Sequence, residues 1–514
     1  MGDGSSPPLT AIADLLQQSV KTRKQVPRFE RELLYPLELT LSHSKKSVMT
    51  QTNTQHQLAK RLQTRHINMI ALGGSIGTGI FLASGYSVYV GGPGGALLAY
   101  LLMGLVVYFL MTSLAEMSVY KPSTGTFCDY SSTYVNKSFG FAMGYNYWLN
   151  WAITIAAEIS AASLVMNYWF PQVHSTVFCG IFFFSILFFN LFSVHVFGEV
   201  EYFLSFIKVA AILAFIVLGG FAIFCTPHFG IHHWQIGDAP FHNHYFGFIS
   251  VFLFAGFSFQ GTELIGVASG EAKEPEKSIP KSIRLVFWRL TLFYVLTIAI
   301  IGLLLSYNDP RLASQNSVNA SPYTLIFNAY FSHYAANIIN FVILVALLSA
   351  ANASMYSSSR ILWYLSKQGQ APKIFGKITK QGVPLVSVLI TALIGSVIFF
   401  SSKIGNGTLF TYLVQISSLF GFIAWFGIAL AHLQFRRKYL PLHGGENSLI
   451  YKAKFYPIAQ LISLFVIGFV VLAQFIPIIH TPKYHVSDLI LMYLGLIIFF
   501  LFYLGHRFFS KTVK

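Results

Sequence analysis

Charge is what this 514-residue chain has least of: Asp, Glu, Lys and Arg together make up 10% of it, against about 25% in a typical soluble domain. The deficit excludes an ordinary water-soluble enzyme. Cysteine is also scarce: Cys128, Cys179 and Cys225 stand far apart with no CxxC spacing, which excludes a disulfide framework or a thiolate metal site. No P-loop and no HExxH occurs, so no ATPase in this chain drives work, and ion coupling is left as the source of energy. No metal and no cofactor is expected. Residues 1–66 contain no apolar run, so no cleavable signal peptide is expected either.

What fills the chain instead is apolar. Hydrophobic residues make up 54% of it and the mean hydropathy is +0.60. A membrane span needs about 20 apolar residues, and about 12 such stretches are present. They lie near 68–90, 94–118, 140–169, 176–195, 201–225, 245–268, 286–306, 335–358, 385–401, 409–433, 456–477 and 486–506. The expected fold is an all-α membrane protein of about 12 transmembrane helices. Residues 1–57, rich in Ser, Gln, Thr, Lys and Pro, read as a disordered cytoplasmic tail. Residues 58–506 read as the membrane domain and 507–514 as a cytoplasmic C-terminal tail.

A net charge of +16 suggests a nucleic-acid partner until the bases are placed. With the N-terminus in the cytoplasm, only Arg311, Lys403 and Lys483 fall outside and Lys208 falls within a span. The other 30 of the 34 Lys and Arg lie on the cytoplasmic side. Such a bias sets orientation, so both termini are expected inside a cell (inner) membrane. No basic surface domain is left to bind nucleic acid.

Two glycine-rich runs interrupt apolar stretches: Gly73-Gly74-Ser75-Ile76-Gly77-Thr78-Gly79 and Gly256-Phe257-Ser258-Phe259-Gln260-Gly261-Thr262-Glu263. Inside a bilayer a broken helix is tolerated only where its freed backbone groups face protein, a cavity or a ligand. One break opens each half of the chain, the arrangement of a transporter's binding site. The N-terminus of each second half-helix offers N–H groups and partial positive charge to a carboxylate. Ser75 and the N–H groups of Gly77, Thr78 and Gly79 are therefore assigned to a substrate carboxylate. Freed carbonyls around Ile76 and from Phe254 to Phe257 can accept from an α-ammonium. The competing reading is that these glycines only permit close helix packing.

Several segments resemble the amino acid transporter family of the amino acid/polyamine/organocation superfamily. They are Arg65-His66-Ile67 with the first glycine run, Gly91-Gly92-Pro93-Gly94-Gly95, Ser113-Leu114-Ala115-Glu116-Met117, Gly144-Tyr145-Asn146-Tyr147-Trp148 and Tyr168-Trp169-Phe170-Pro171. The resemblance covers nearly all of 58–506. It is closest to lysine-specific permeases through Asn150-Trp151-Ala152-Ile153-Thr154-Ile155-Ala156, the second glycine run, and Ser349-Ala350-Ala351-Asn352 running on to Met355-Tyr356. It implies a 5+5 inverted repeat with discontinuous helices 1 and 6, two appended helices, and a substrate held where spans 1 and 6 unwind. It also implies import of an amino acid, L-lysine first, by proton symport with alternating access. Other basic or neutral substrates, exchange, and amino acid sensing are the alternatives. Neutral-substrate relatives usually carry Gly-Leu-Glu where this chain has Gln260-Gly261-Thr262-Glu263, which favours a basic substrate.

Few ionisable groups lie within spans. Lys208 is in the fifth stretch, where a lysine costs about 2.5 to 3.5 kcal/mol even on a lenient scale. The resemblance places it where sodium-coupled relatives hold a sodium ion, so Lys208, with Ser349 and Asn352 around it, is assigned to proton coupling. The alternative is a lysine that snorkels or pairs with Glu201 on the same helix face. Glu263, beside the second break with Gln260 and Thr262, is the first candidate for the substrate's side-chain ammonium or for coupling, against a structural hydrogen-bonding role, and Glu158 is the reserve. Glu271 resembles a residue needed by lysine permeases and equally fits a gate; Glu116 reads as structural. His228, His232, His233, His242 and His244 cluster in one outer loop, where a solvated loop is expected over a zinc or pH site. A membrane-bound enzyme would need His195 or His432 to be catalytic, and neither has an acid or nucleophile at a usable spacing.

Overall fold

The computed structural model describes residues 74–123, 125–191, 194–268, 275–313, 321–475 and 486–512. All belong to one compact unit, Lys60–Lys514, and every element among them is helical. Eight helices among the described residues are long and apolar enough to cross a membrane. Three shorter apolar helices accompany them, Ser175–Asn190, Leu290–Leu304 and Ile458–Ala473. This is a multi-pass membrane protein. The tail expected at 1–57 lies outside the described residues, as do most of 507–514's side chains and the first half of broken helix 1.

In chain order the principal helices are α1 (Gly79–Tyr120) and α2 (Lys137–Met166). Then come α3 (Ser175–Asn190), α4 (Val194–Cys225), α5 (His244–Phe259) and α6 (Leu264–Ala268). Next are α7 (Pro275–Leu304), α8 (Pro322–Tyr330), α9 (His333–Lys367) and α10 (Leu385–Gly395). Last are α11 (Asn406–Gln434), α12 (Ile458–Ala473) and α13 (Val486–Thr512). Local chemistry sets several starts: Asn136 accepts the Phe139 N–H at 2.8 Å to open α2, and Ser332 accepts the Ala335 N–H at 3.1 Å to open α9.

The first two expected spans form one run. At 1.5 Å per residue the 42 residues of α1 would reach about 63 Å, twice a bilayer's hydrocarbon core. Gly92 divides the run, with φ 71° and ψ 169°, and Pro93 follows it. A Cβ there would stand 2.6 Å from the Pro240 carbonyl oxygen, which instead accepts the Gly94 and Gly95 N–H groups at 2.9 and 3.2 Å. The loop between α4 and α5 is thereby tied to the bend of α1.

Helices α2 and α11 pack against each other, α9 packs on α2, and α5 and α7 pack on α1. They form the buried centre. Helices α4 and α13 are peripheral, and turn Phe203, Phe206, Phe221, Phe224 and Phe500 outward. Outward phenylalanine is what a lipid solvent rewards.

At the α1–α11 end a buried acid organises the fold. Arg436 grips Glu116 with Nε and Nη2 at 2.6 and 2.7 Å, His432 Nε2 stands 3.1 Å from it, and the Ala453 N–H donates to it. His432 is thus a partner of Glu116. Removing one member of a buried ion pair costs about 3 to 5 kcal/mol. Glu116→Gln should therefore lower the melting temperature in detergent markedly, and Glu116→Gln/Arg436→Met should recover part of the loss.

In the loop between α4 and α5, Asp238 accepts from His242 Nδ1 at 2.7 Å and from the Tyr307 hydroxyl at 2.7 Å. Partial burial pushes its carboxyl up, but the bonds from His242, Tyr307 and the Asn243 N–H outweigh this and hold it at about 2. A depressed carboxylate stabilises the fold above its unfolded range and stops doing so as pH falls through its folded value. Amide exchange around 238–243 should stay protected at pH 5 and open between pH 4 and 2. No group of three or more possible metal ligands occurs among the described residues.

Candidate functional site

Both glycine runs are bends in the backbone, and they meet. At the second, α5 ends at Phe259, Gln260 turns to ψ 146°, and Gly261 takes φ 98° before α6 begins. Only glycine enters that region without strain. A Cβ on Gly261 would also stand 2.7 Å from the Gly74 carbonyl oxygen. The first run is as tight: a Cβ on Gly79 would fall on the Ser258 Cα, and one on Gly77 would stand 2.6 Å from Glu158 Oε1. The Tyr294 hydroxyl donates to the Ser75 carbonyl at 2.8 Å, holding the bend from α7.

Between the two bends lies a small cavity of about 20 Å³, lined by Gly74, Ser75, Gly77 and Gly79 from the first, Phe257 and Gln260 from the second, and Trp151, Thr154 and Glu158 from α2. The last three recur at i, i+3 and i+7, one face of a helix, and that face looks into the space between the breaks. Glu158 accepts from the Thr78 hydroxyl at 2.6 Å and from the Thr78 N–H at 3.2 and 3.3 Å. A carboxylate thus already sits at the start of the half-helix that follows the first break, the place where one is electrostatically favoured.

The remaining assigned residues divide. Gln260 Nε2 donates to the Ser418 carbonyl at 3.1 Å, and its neighbour Thr262 turns its hydroxyl to the Phe259 carbonyl at 3.0 Å. The Phe254 carbonyl accepts the Ser258 hydroxyl at 2.8 Å, and that of Phe257 the Gln260 N–H at 3.2 Å. Ile76 is fully buried. Glu263 does not line the cavity. Its carboxylate accepts the Gly261 N–H at 3.1 and 3.2 Å, the Tyr147 hydroxyl at 3.3 Å and Trp425 Nε1 at 3.2 Å, so it braces the second bend. Glu271 lies outside the described residues.

Lys208 is fully buried on α4, with Nζ 3.9 Å from Glu201 Oε1, itself fully buried. The Ser349 hydroxyl donates to the same oxygen at 2.7 Å, while Asn352 Oδ1, one turn along α9, accepts from Asn190 at 2.7 Å. Seven residues separate Glu201 from Lys208 and put them on one face. Glu158 lies within electrostatic reach of Lys208, so the cavity acid and the buried pair sense each other. The pairing of Lys208 with Glu201 is the alternative that the sequence offered. The i, i+7 spacing was its signal.

The cavity between the two broken helices thus lies in a bundle that also buries the Lys208–Glu201 pair. A family model described as amino acid permease matches residues 66–514. The chain belongs to the amino acid permease family. A lysine-specific permease of Lactococcus lactis is 43% identical over 90% of this chain and 92% of its own length. One from Escherichia coli is 42% identical over 90% of this chain and 96% of its own. A histidine permease of Lactococcus lactis is 41% identical over 88% and 95%. As a permease, the chain has a small amino acid for its substrate class and moves it across the membrane.

Proposed function

We propose that this permease imports L-lysine by proton symport with alternating access, across a cell (inner) membrane with both termini cytoplasmic. The proposed architecture is twelve spans, as a 5+5 inverted repeat with helices 1 and 6 broken and two helices appended; counting the two arms of α1 separately supports it. The observation that carries the reading is the cavity between the broken helices. It combines half-helix backbone for an α-carboxylate with one acid, Glu158, for a cation. A lysine side chain entering a low-dielectric site must find a carboxylate or a dense set of oxygens. Glu263 does not line the cavity and Glu158 does, which makes Glu158 the acid for the side-chain ammonium.

Protons are the proposed coupling ion because Lys208 places a positive charge in the buried interior beside the site, where a sodium ion would be repelled. Glu201 and Ser349 hold that charge in place, and Glu158 links it to the substrate. Histidine is the second reading, supported by the 41% identical histidine permease. Its protonated ring would meet the same acid. Labelled lysine uptake into vesicles, challenged by each other amino acid in turn, tests the substrate: lysine should compete best, and uptake displaced more strongly by histidine than by lysine would move the assignment.

Glu158→Gln keeps shape and removes charge. It should weaken equilibrium lysine binding by about 1.5 to 3 kcal/mol, the worth of a hydrogen bond to a charged group. Glu263→Gln should leave affinity closer to wild type and lower thermal stability instead. The reverse pattern would return Glu263 to the binding role.

A further inference from the structure

A second cavity opens on the flank formed by α11, α12 and α13. It is a groove of about 520 Å³ lined by apolar side chains, among them Phe422, Phe426, Leu496, Phe499 and the ring of Tyr503. Gly468 of α12 is part of its wall. Glycine inside a helix costs about 1 kcal/mol relative to alanine and is usually retained for a close approach, yet a Cβ on Gly468 would meet nothing within 4 Å. No packing against protein calls for this glycine; what it does is widen the groove.

One end of the groove is polar and basic. Phe139, at the start of α2, and Tyr503, near the end of α13, close it. There the Tyr503 hydroxyl accepts from Arg507 Nη1 at 3.4 Å, and His506 Nδ1 stands 3.0 Å from the Ser138 hydroxyl. Lys137, next in sequence, and Arg507 are both exposed. An apolar slot capped at one end by two cations is complementary to one kind of membrane component: an acyl chain carrying an anionic headgroup. A zwitterionic lipid would fill the slot equally well but bring no net charge to the cationic end.

We propose that the α11–α12–α13 groove is a binding site for one anionic phospholipid, its acyl chain against Gly468 and Phe426 and its phosphate between Lys137 and Arg507. The site is separate from the transport cavity and needs only that the chain be embedded in a bilayer.

The test is lipid retention by the purified full chain, read by native mass spectrometry after delipidation and addition of phosphatidylglycerol or phosphatidylcholine with matched acyl chains. Wild type should retain phosphatidylglycerol in preference to phosphatidylcholine. Arg507→Gln should reduce that preference about fivefold, the effect of one cationic side chain at a membrane surface. Gly468→Phe, whose ring would occupy the open groove, should lose retention of both lipids while melting as wild type; Gly468→Leu serves if the larger residue impairs folding. Equal retention of the two lipids by wild type, or unchanged retention by a folded Gly468 variant, would overturn the proposal. So would a wild-type dimer that Gly468→Phe converts to monomer with lipid retention unchanged, because the groove would then belong to a second copy of the chain.

Discussion

Gly79→Val should insert normally and bind no lysine. The valine Cβ would fall on the Ser258 backbone, and backbone cannot swing aside as a side-chain tip can. The bend would have to open, and with it the wall of the cavity that Gly79 shares with Phe257 and Gln260. Gly261→Ala should fail alike, because φ 98° is unfavourable to any Cβ and the methyl would press on the Gly74 carbonyl. Gly77→Ala is the graded control: its Cβ meets Glu158 Oε1 at 2.6 Å, and a carboxylate can shift. Saturable binding, measured by scintillation proximity on purified protein, should be lost in the first two and only weakened in the third. Wild-type affinity in folded Gly79→Val would mean that the glycines serve packing alone.

The second large effect is expected at the buried pair. Lys208→Ala leaves Glu201 without its ion partner inside the protein, and Glu201→Gln does the same to Lys208. Breaking a buried pair from one side typically costs about 3 to 5 kcal/mol of stability, so either single variant confounds coupling with folding. The double variant Lys208→Met/Glu201→Gln removes both charges, should recover much of the melting temperature, and should still fail to accumulate lysine against a gradient. Facilitated exchange of lysine should persist in it. Gradient-driven accumulation by the double variant would remove Lys208 from the coupling mechanism.

Much of the membrane character and the two bends was legible because each rests on local pattern: long apolar stretches, and glycines where a helix interior disfavours them. Gly261 and Gly79 do at the backbone what their positions implied. The contacts that give the site its chemistry were not legible in the same way. Thr78 meets Glu158 across 80 residues and Glu116 meets Arg436 across 320, and no periodicity encodes pairings at that range. Glu263 shows the limit most clearly. Sequence proximity made it the acid nearest the break, yet a glutamate two residues past a turn glycine can fold back onto that glycine's N–H, and only the three-dimensional packing of Tyr147 and Trp425 decides that it does. The single run of α1 through two expected spans has a similar cause, since Gly92 bends the chain without interrupting its helical bonding on either side.

Proton-driven lysine transport is tested most directly by reconstituting the full chain in sodium-free vesicles and imposing an acid-outside gradient. The account predicts that labelled lysine accumulates above its external concentration, that a protonophore abolishes the accumulation, and that sodium adds nothing. No accumulation without sodium, or accumulation indifferent to the protonophore, would contradict it.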